Sequence, residues 1–176
     1  MTASARSPLR VGITELRRRP GTQRDVHTSV SLPDLAISTA RVPKDAAVSV
    51  DAVLEAVEGG ITVGGHVTAP WEGECRRCLD LVSGTMDVAL HEVFELAPSD
   101  GETYPIEGDD VDLEPVVRDA LLLDLPLAPL CRDDCPGPAP DEFPARVSAD
   151  DRDAGDVNGE PPRDPRWAAL DQLDLD

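Results

Sequence analysis

The chain has 176 residues, a formal net charge of −19 and 40% hydrophobic residues. This length suits one domain with tails, and the negative charge argues against a surface that binds nucleic acid or an anionic membrane as a whole. No stretch is long and apolar enough to span a membrane, and the first residues lack the apolar region of a secretory signal. We therefore expect a cytoplasmic protein with no membrane partner, whose cysteines stay reduced.

Residues 1–24 are a basic N-terminal arm in an otherwise acidic chain, since six arginines face a single acidic residue, Glu15. Ile13 and Leu16 predict a short helical turn that ends at Pro20. The arginines Arg17, Arg18 and Arg19 would then be solvated, and they are candidates for contact with RNA. The alternative is that the arm folds onto the chain's own acidic body.

Residues 25–135 carry the patterns of one α+β domain. Alternating apolar residues predict strands over residues 26–32, 48–56, 61–69 and 86–94. The two glycines of Glu58-Gly59-Gly60-Ile61 favour a hairpin turn between the second and third of these strands. The last three strands have short connections, which predicts an antiparallel β-meander.

One main helix is predicted to cover this meander. An acidic loop over residues 97–111, expected to be solvated and mobile, precedes the helix Asp112–Asp124. Asp112 can cap the first amides, and Pro115 is tolerated in the first turn. The apolar face that we expect against the sheet consists of Val116, Val117, Ala120, Leu121 and Leu123.

The C-terminal part has a different composition. Residues 136–163 are rich in proline and aspartate and poor in large apolar side chains, so we predict a disordered acidic linker. Residues 164–176 begin with Asp164-Pro165 and place Trp167, Leu170 and Leu173 on one face. This pattern predicts a short C-terminal helix.

The four cysteines of the chain form two short-spaced pairs. Cys75 and Cys78 lie in a polar turn between two predicted strands, and Cys131 and Cys135 follow the predicted helix. Two close pairs separated by a longer segment are compatible with a structural Zn²⁺ held by four thiolates. We therefore expect the two pairs to meet in space.

Several motifs together resemble those of the YceD family, the large ribosomal RNA subunit accumulation proteins. The turn Cys75-Arg76-Arg77-Cys78-Leu79 is similar to the family's C-x-R-C-L signature. The predicted helix continues into a Leu-Pro-Leu-x-Pro-Leu-Cys segment at residues 125–131. The segments Leu16–Gly21 and Trp167–Leu173 also agree with family motifs, so that the resemblance spans residues 16–173.

This resemblance implies a non-catalytic role in the synthesis or accumulation of large-subunit ribosomal RNA. Many family members have a further C-x-x-C pair after the position of Cys135, and this chain has none. Either the four remaining thiols make a complete zinc site, or the site has eroded and they are small apolar residues.

The direct partner is predicted to be a large-subunit ribosomal RNA precursor or basic ribosomal proteins, with no small-molecule substrate. Arg76 and Arg77 join the arginines of the N-terminal arm as candidate RNA contacts. A zinc-stabilised module that binds basic ribosomal proteins is the alternative. A thiol redox protein is a weaker one, since no thioredoxin-like pattern surrounds the C-x-x-C. The histidines His27, His66 and His91 are scattered on strands without a catalytic motif, so no enzyme is predicted.

Overall fold

The computed structural model describes residues 7–99, 101–138 and 141–142. Within them, eight strands, one short 3-10 helix and one α-helix follow one another. Their bounds are β1 Arg10–Gly12, the 3-10 helix Leu16–Arg18, β2 Gln23–Val30, β3 Ala40–Arg41, β4 Val48–Val57, β5 Gly60–Glu74, β6 Leu81–Glu95, β7 Tyr104–Pro105, β8 Asp110–Asp112 and α1 Glu114–Asp124.

The main sheet has the strand order β2-β4-β5-β6-β7, and β3 also pairs with β5. All pairs are antiparallel except β6 with β7. The meander predicted from alternating residues corresponds to β4, β5 and β6. On β4, for example, the alternate residues that are buried are Val48, Val50, Ala52, Leu54 and Ala56. The described part of the chain is thus mostly antiparallel sheet with a single α-helix, in agreement with the coarse fold class that the sequence predicts.

The hairpin of β5 and β6 positions the first cysteine pair. Each strand has 15 residues, and their register runs from Gly60 opposite Glu95 to Glu74 opposite Leu81. The loop at the far end therefore consists of residues 75–80. Cys75 and Cys78 lie within this loop, which is the connection that the sequence predicts for them.

Helix α1 covers the sheet with one face. It begins at Glu114 rather than at the predicted Asp112, with Leu113 in the N-cap position and a proline in the first turn. The Glu114 amide still donates a hydrogen bond to Asp112 Oδ1 at 3.0 Å. Val116, Val117 and Leu121 are buried, but Leu123 is 87% exposed. The prediction that Leu123 packs on the sheet is wrong, because residues two apart on a helix point in directions roughly 200° apart.

The N-terminal segment from residue 9 packs into the same unit as the sheet. Strand β1 pairs with β8. Arg10 forms an ion pair with Glu107, and Arg17 Nη1 lies 3.5 Å from Asp109 Oδ1. The buried apolar residues of the segment are Leu9, Val11, Ile13 and Leu16. These contacts match the alternative in which the basic segment folds onto the chain's own acidic residues.

The predicted loop over residues 97–111 contains regular structure. Its residues contribute β7, which extends the main sheet beside β6, and the beginning of β8. Ile106 and Val111 are buried. The expectation of a solvated loop is therefore wrong at Ile106 and Val111, although most other described residues of the segment are exposed. The short strands form because they pair with partners elsewhere in the chain.

The C-terminal predictions lie almost entirely outside the described residues. Of the predicted linker over residues 136–163, the structure describes 136–138 and 141–142, which carry no helix or strand. The helix predicted over residues 164–176 lies outside the described part.

Candidate metal centre

The first cysteine pair is held in a tight turn between β5 and β6. The Cys75 amide donates to the Asp80 carbonyl oxygen at 2.8 Å, and the Leu79 amide donates to the Cys75 carbonyl oxygen at 2.9 Å. Leu79 adopts a positive φ of 65°, a conformation that closes tight turns but is unusual for leucine. These bonds fix the backbone on both sides of Cys78.

The second pair is held against the first by the segment that follows α1. Thr39 Oγ1 donates to the Pro126 carbonyl oxygen at 2.9 Å, and the Arg76 amide donates to the Pro129 carbonyl oxygen at 2.9 Å. The Cys135 amide then closes a turn by donating to the Arg132 carbonyl oxygen at 3.1 Å. The two turns are thereby joined through main-chain atoms as well as through side chains.

The sulfur atoms of the two pairs meet. Cys75 Sγ lies 3.8 Å from Cys135 Sγ, and Cys78 Sγ lies 3.7 Å from Cys131 Sγ. All four sulfur atoms lie within 4.8 Å of one another. A Zn–S distance of about 2.3 Å in a tetrahedral site requires sulfur atoms about 3.8 Å apart. The cluster therefore has dimensions that fit one Zn²⁺ ion with small adjustments.

The four thiols are free rather than paired in disulfides. They differ in solvent exposure: Cys75 and Cys135 are buried, Cys78 is half-buried and Cys131 is exposed. Within the described residues, no other group of three or more potential ligands has such spacing. Four thiolates leave no open position for water, which is typical of a structural rather than a catalytic zinc site.

The thiols of the first turn have unequal proton affinities without a metal. Backbone hydrogen bonds, first from Cys78 and then from Cys131, lower the pKa of Cys75 to about 6. For Cys78, a backbone hydrogen bond from Asp80 acts in the same direction, but desolvation and the neighbouring Cys75 and Asp80 side chains outweigh it and raise the pKa to about 12. One sulfur of the cluster thus favours the thiolate form that metal ions bind.

Arg77, which the sequence suggests as an RNA contact, connects the two cysteine turns. Its Nη1 donates to the carbonyl oxygens of Asp133 at 2.9 Å and of Cys135 at 3.0 Å. Nothing in the local sequence distinguishes Arg77 from Arg76, and both residues are exposed. The positioning role of Arg77 was therefore missed by sequence reasoning.

The other RNA-contact candidates are far from the cysteines in sequence: Arg17 and Arg18 lie in the 3-10 helix, and Arg19 follows it. Arg17 donates to the Gly108 carbonyl oxygen at 3.1 Å, and Arg18 pairs with Glu15 at 2.7 Å. Arg19 is exposed and forms no ion pair with the described residues. That these arginines contact RNA stays a prediction.

Two of the three histidines pair with aspartates of neighbouring strands. His27 Nδ1 lies 2.7 Å from Asp51 Oδ1, and His66 Nδ1 lies 2.9 Å from Asp87 Oδ1. All four side chains are more than half exposed. They are surface pairs, as expected for histidines without a catalytic motif.

Comparison with known proteins identifies the family of this chain. The family described as "Large ribosomal RNA subunit accumulation protein YceD" matches residues 63–174. The chain belongs to the YceD family. The match includes both cysteine pairs and α1 of this YceD protein, whereas β1 to β4 precede it.

The YceD protein is also similar to mycobacterial proteins. An uncharacterized protein of Mycobacterium tuberculosis is 34% identical over 175 residues, which cover 95% of this chain and 82% of the relative. An uncharacterized protein of Mycobacterium leprae is 36% identical over 140 residues, or 74% of this chain and 64% of the relative. No solved structure matches the chain. Among the described residues, no helix has the length and apolar character needed to cross a membrane.

Proposed function

We propose that this YceD protein is a non-catalytic factor of ribosome biogenesis that supports the synthesis or accumulation of large-subunit ribosomal RNA. The observation that carries the proposal is the family match over residues 63–174, whose description names this RNA. The paired surface histidines, which form no catalytic motif in the sequence, are in keeping with a role without catalysis.

The proposal is tested by deleting the gene in its own host and measuring the ratio of large- to small-subunit ribosomal RNA. We expect the ratio to fall and to recover when the gene is supplied again. The protein itself should sediment with precursors of the large subunit on a sucrose gradient. An unchanged ratio, together with protein that remains at the top of the gradient, would contradict the proposal.

We further propose that Cys75, Cys78, Cys131 and Cys135 hold a structural Zn²⁺. The support is the sulfur spacing of 3.7 and 3.8 Å between the two turns, close to what a tetrahedral site needs. The thiol redox alternative has less support, because these closest sulfur contacts join different turns rather than the two cysteines of one C-x-x-C. Metal analysis of protein purified without a histidine tag should give about one zinc per chain; a value well below one under reducing conditions would rule the site out.

The direct partner is proposed to be either the RNA precursor or basic ribosomal proteins. The net charge of −19 favours proteins of opposite charge, whereas Arg19 and Arg76 are exposed cations suited to phosphates. Pull-downs with and without nuclease separate these partners, since only association through RNA is lost on digestion. In the RNA case, replacing Arg19 and Arg76 by alanine should weaken RNA binding and reduce its salt dependence.

A further inference from the structure

A groove of about 570 Å³ lies between α1 and the adjoining part of β6, and none of the four cysteines lines it. Val88 of β6 and Ala120 and Leu122 of α1 contribute apolar surface to it, and the lining also includes Val116, which is buried. Strand β7 pairs with β6 only at Phe94 and Glu95. Along the rest of this edge, no strand of the described residues pairs with β6. The groove therefore stays open to solvent.

The helix side of the groove carries an unusually exposed leucine. Leu123 lines the groove and is 87% exposed, while Val88 and Leu122 are only half-buried. Single exposed apolar side chains are common on protein surfaces, but adjacent ones that line a concavity are typical of binding sites. Burial of Leu123 by a partner would remove apolar surface from water.

Carboxylates flank this apolar surface from two elements. Glu92 projects from β6, and Asp119 and Asp124 project from α1. The described residues that line the groove include no arginine or lysine. The pKa of Tyr104, at the same groove, is raised to about 12 by burial and then by the hydrogen bond and charge of Asp119 and the charge of Glu92. The negative potential of the groove thus acts on a neighbouring group.

We propose that this groove docks a basic amphipathic helix of a partner protein. The aliphatic stripe of the partner helix would lie on Val88, Leu122 and Leu123. Arginine or lysine side chains on both sides of that stripe would reach the carboxylates of β6 and α1. A helix presents a stripe with cations on both sides, whereas a strand places alternate residues on opposite faces. The inference rests on the form of the proposed function in which basic proteins are the partners.

The chain's own C-terminal segment is a poor match to this potential. Residues 164–176 contain Arg166 as the only cation, against four aspartates: Asp164, Asp171, Asp174 and Asp176. Like charges would oppose its binding beside three carboxylates. The charge of the groove therefore favours a foreign, basic occupant.

The test uses the full-length protein and a fluorescently labelled synthetic helix with a leucine stripe flanked by arginines. A second peptide carries glutamate in place of every arginine, and a third has the same composition with the leucines scattered around the helix. Fluorescence anisotropy should show binding of the first peptide at least tenfold tighter than that of either control peptide. The Leu123→Arg variant should weaken this binding at least tenfold.

Leu127→Arg is the matched control variant, since Leu127 is 81% exposed, lies outside the groove lining and gives the same change of charge. It should alter affinity by less than about twofold. Equal weakening by both variants would mean non-specific attraction to an acidic protein and would overturn the proposal. Binding that appears only after deletion of residues 164–176 would make the chain's own segment the occupant and would overturn it as well. The ratio of ribosomal RNAs tests the proposed function independently of either result.

Discussion

At the scale of single residues, Arg77 shows how a charged side chain near a binding motif can have a structural role. Its guanidinium donates to two carbonyl oxygens of the second cysteine turn. Hydrogen bonds that involve charged groups contribute about 1.5–3 kcal/mol when well formed, and less when exposed to water. We predict that Arg77→Ala lowers the free energy of unfolding by about 1–2 kcal/mol, measured by urea denaturation under reducing conditions.

Arg76→Ala is the control for this prediction, because Arg76 is exposed like Arg77 but its hydrogen bond to the Pro129 carbonyl oxygen comes from the main-chain amide, which the substitution keeps. Its effect on stability should stay within about 0.5 kcal/mol. Equal losses for the two variants would show that Arg77 does not connect the turns in solution.

Tyr104 offers a second prediction for a single residue, since it is the only tyrosine in the chain. Burial, followed by Asp119, raises its pKa from 10.0 to about 12. The unfolded state therefore loses this proton at lower pH than the folded state, so the stability linked to Tyr104 is complete below pH 10 and falls as the pH rises toward 12.

Ultraviolet absorbance of the tyrosinate should follow this titration in the folded protein, with circular dichroism as the check that the fold persists. Asp119→Asn should move the midpoint toward 10, because it removes the carboxylate that accepts the phenolic hydrogen bond at 2.9 Å. A midpoint near 10 in the folded wild-type protein would contradict the assigned environment.

At the scale of elements, the pairing of β4 with its neighbour β5 in the sheet depends on a glycine of β5. A Cβ atom added to Gly65 would lie 2.6 Å from Ala52 Cα, whereas one added to Gly64 would meet no atom within 4 Å. Gly65→Ala should therefore lower the free energy of unfolding by about 1–3 kcal/mol. Gly64→Ala, the matched control in the same strand, should leave it unchanged or raise it by up to about 1 kcal/mol. Thermal denaturation of both variants measures the difference, and similar melting temperatures would contradict the strand register.

The elements that the sequence revealed are those with long repeating patterns. Strands β4, β5 and β6 alternate over many residues, and α1 has a cap, a proline and an apolar face. Strands β1, β7 and β8 have two or three residues each, which is too short for a period to emerge. Their pairing depends on residues that are distant in sequence, such as Arg10 opposite Asp112. Leu123 was misassigned because a run of three leucines obscures which of them faces the sheet.

The candidate metal site was predictable for a different reason. Cysteine pairs with short spacing restrict the possible chemistry to few classes, so the ligands could be named without knowledge of the fold. The distances between the pairs, the exposure of each sulfur and the contacts of Arg77 depend on how the hairpin of β5 and β6 packs against the segment after α1. No local pattern encodes that packing.

At the scale of the whole molecule, the cysteine cluster connects the far end of the longest hairpin to the segment that follows α1, the single α-helix of the described residues. A metal ion there would couple these parts into one cooperative unit. Its apparent contribution, about 10–16 kcal/mol for structural zinc, would be comparable to the entire stability of a typical domain, about 5–15 kcal/mol. Loss of the metal should therefore affect the whole fold rather than one turn.

Substitution of Cys131 tests whether the four cysteines are zinc ligands or only small apolar residues. Because Cys131 is exposed, Cys131→Ser should change stability by less than about 0.5 kcal/mol if no metal binds. If zinc binds, the variant loses one of four ligands, and we predict a loss of several kcal/mol in the zinc-loaded protein. Thermal denaturation under reducing conditions measures this loss, and a chelator should remove the difference between wild type and variant. Cys75→Ser serves as the comparison: Cys75 is buried, so this variant should be destabilised even if the protein binds no metal. An effect of Cys131→Ser that persists in chelator would exclude zinc as its cause.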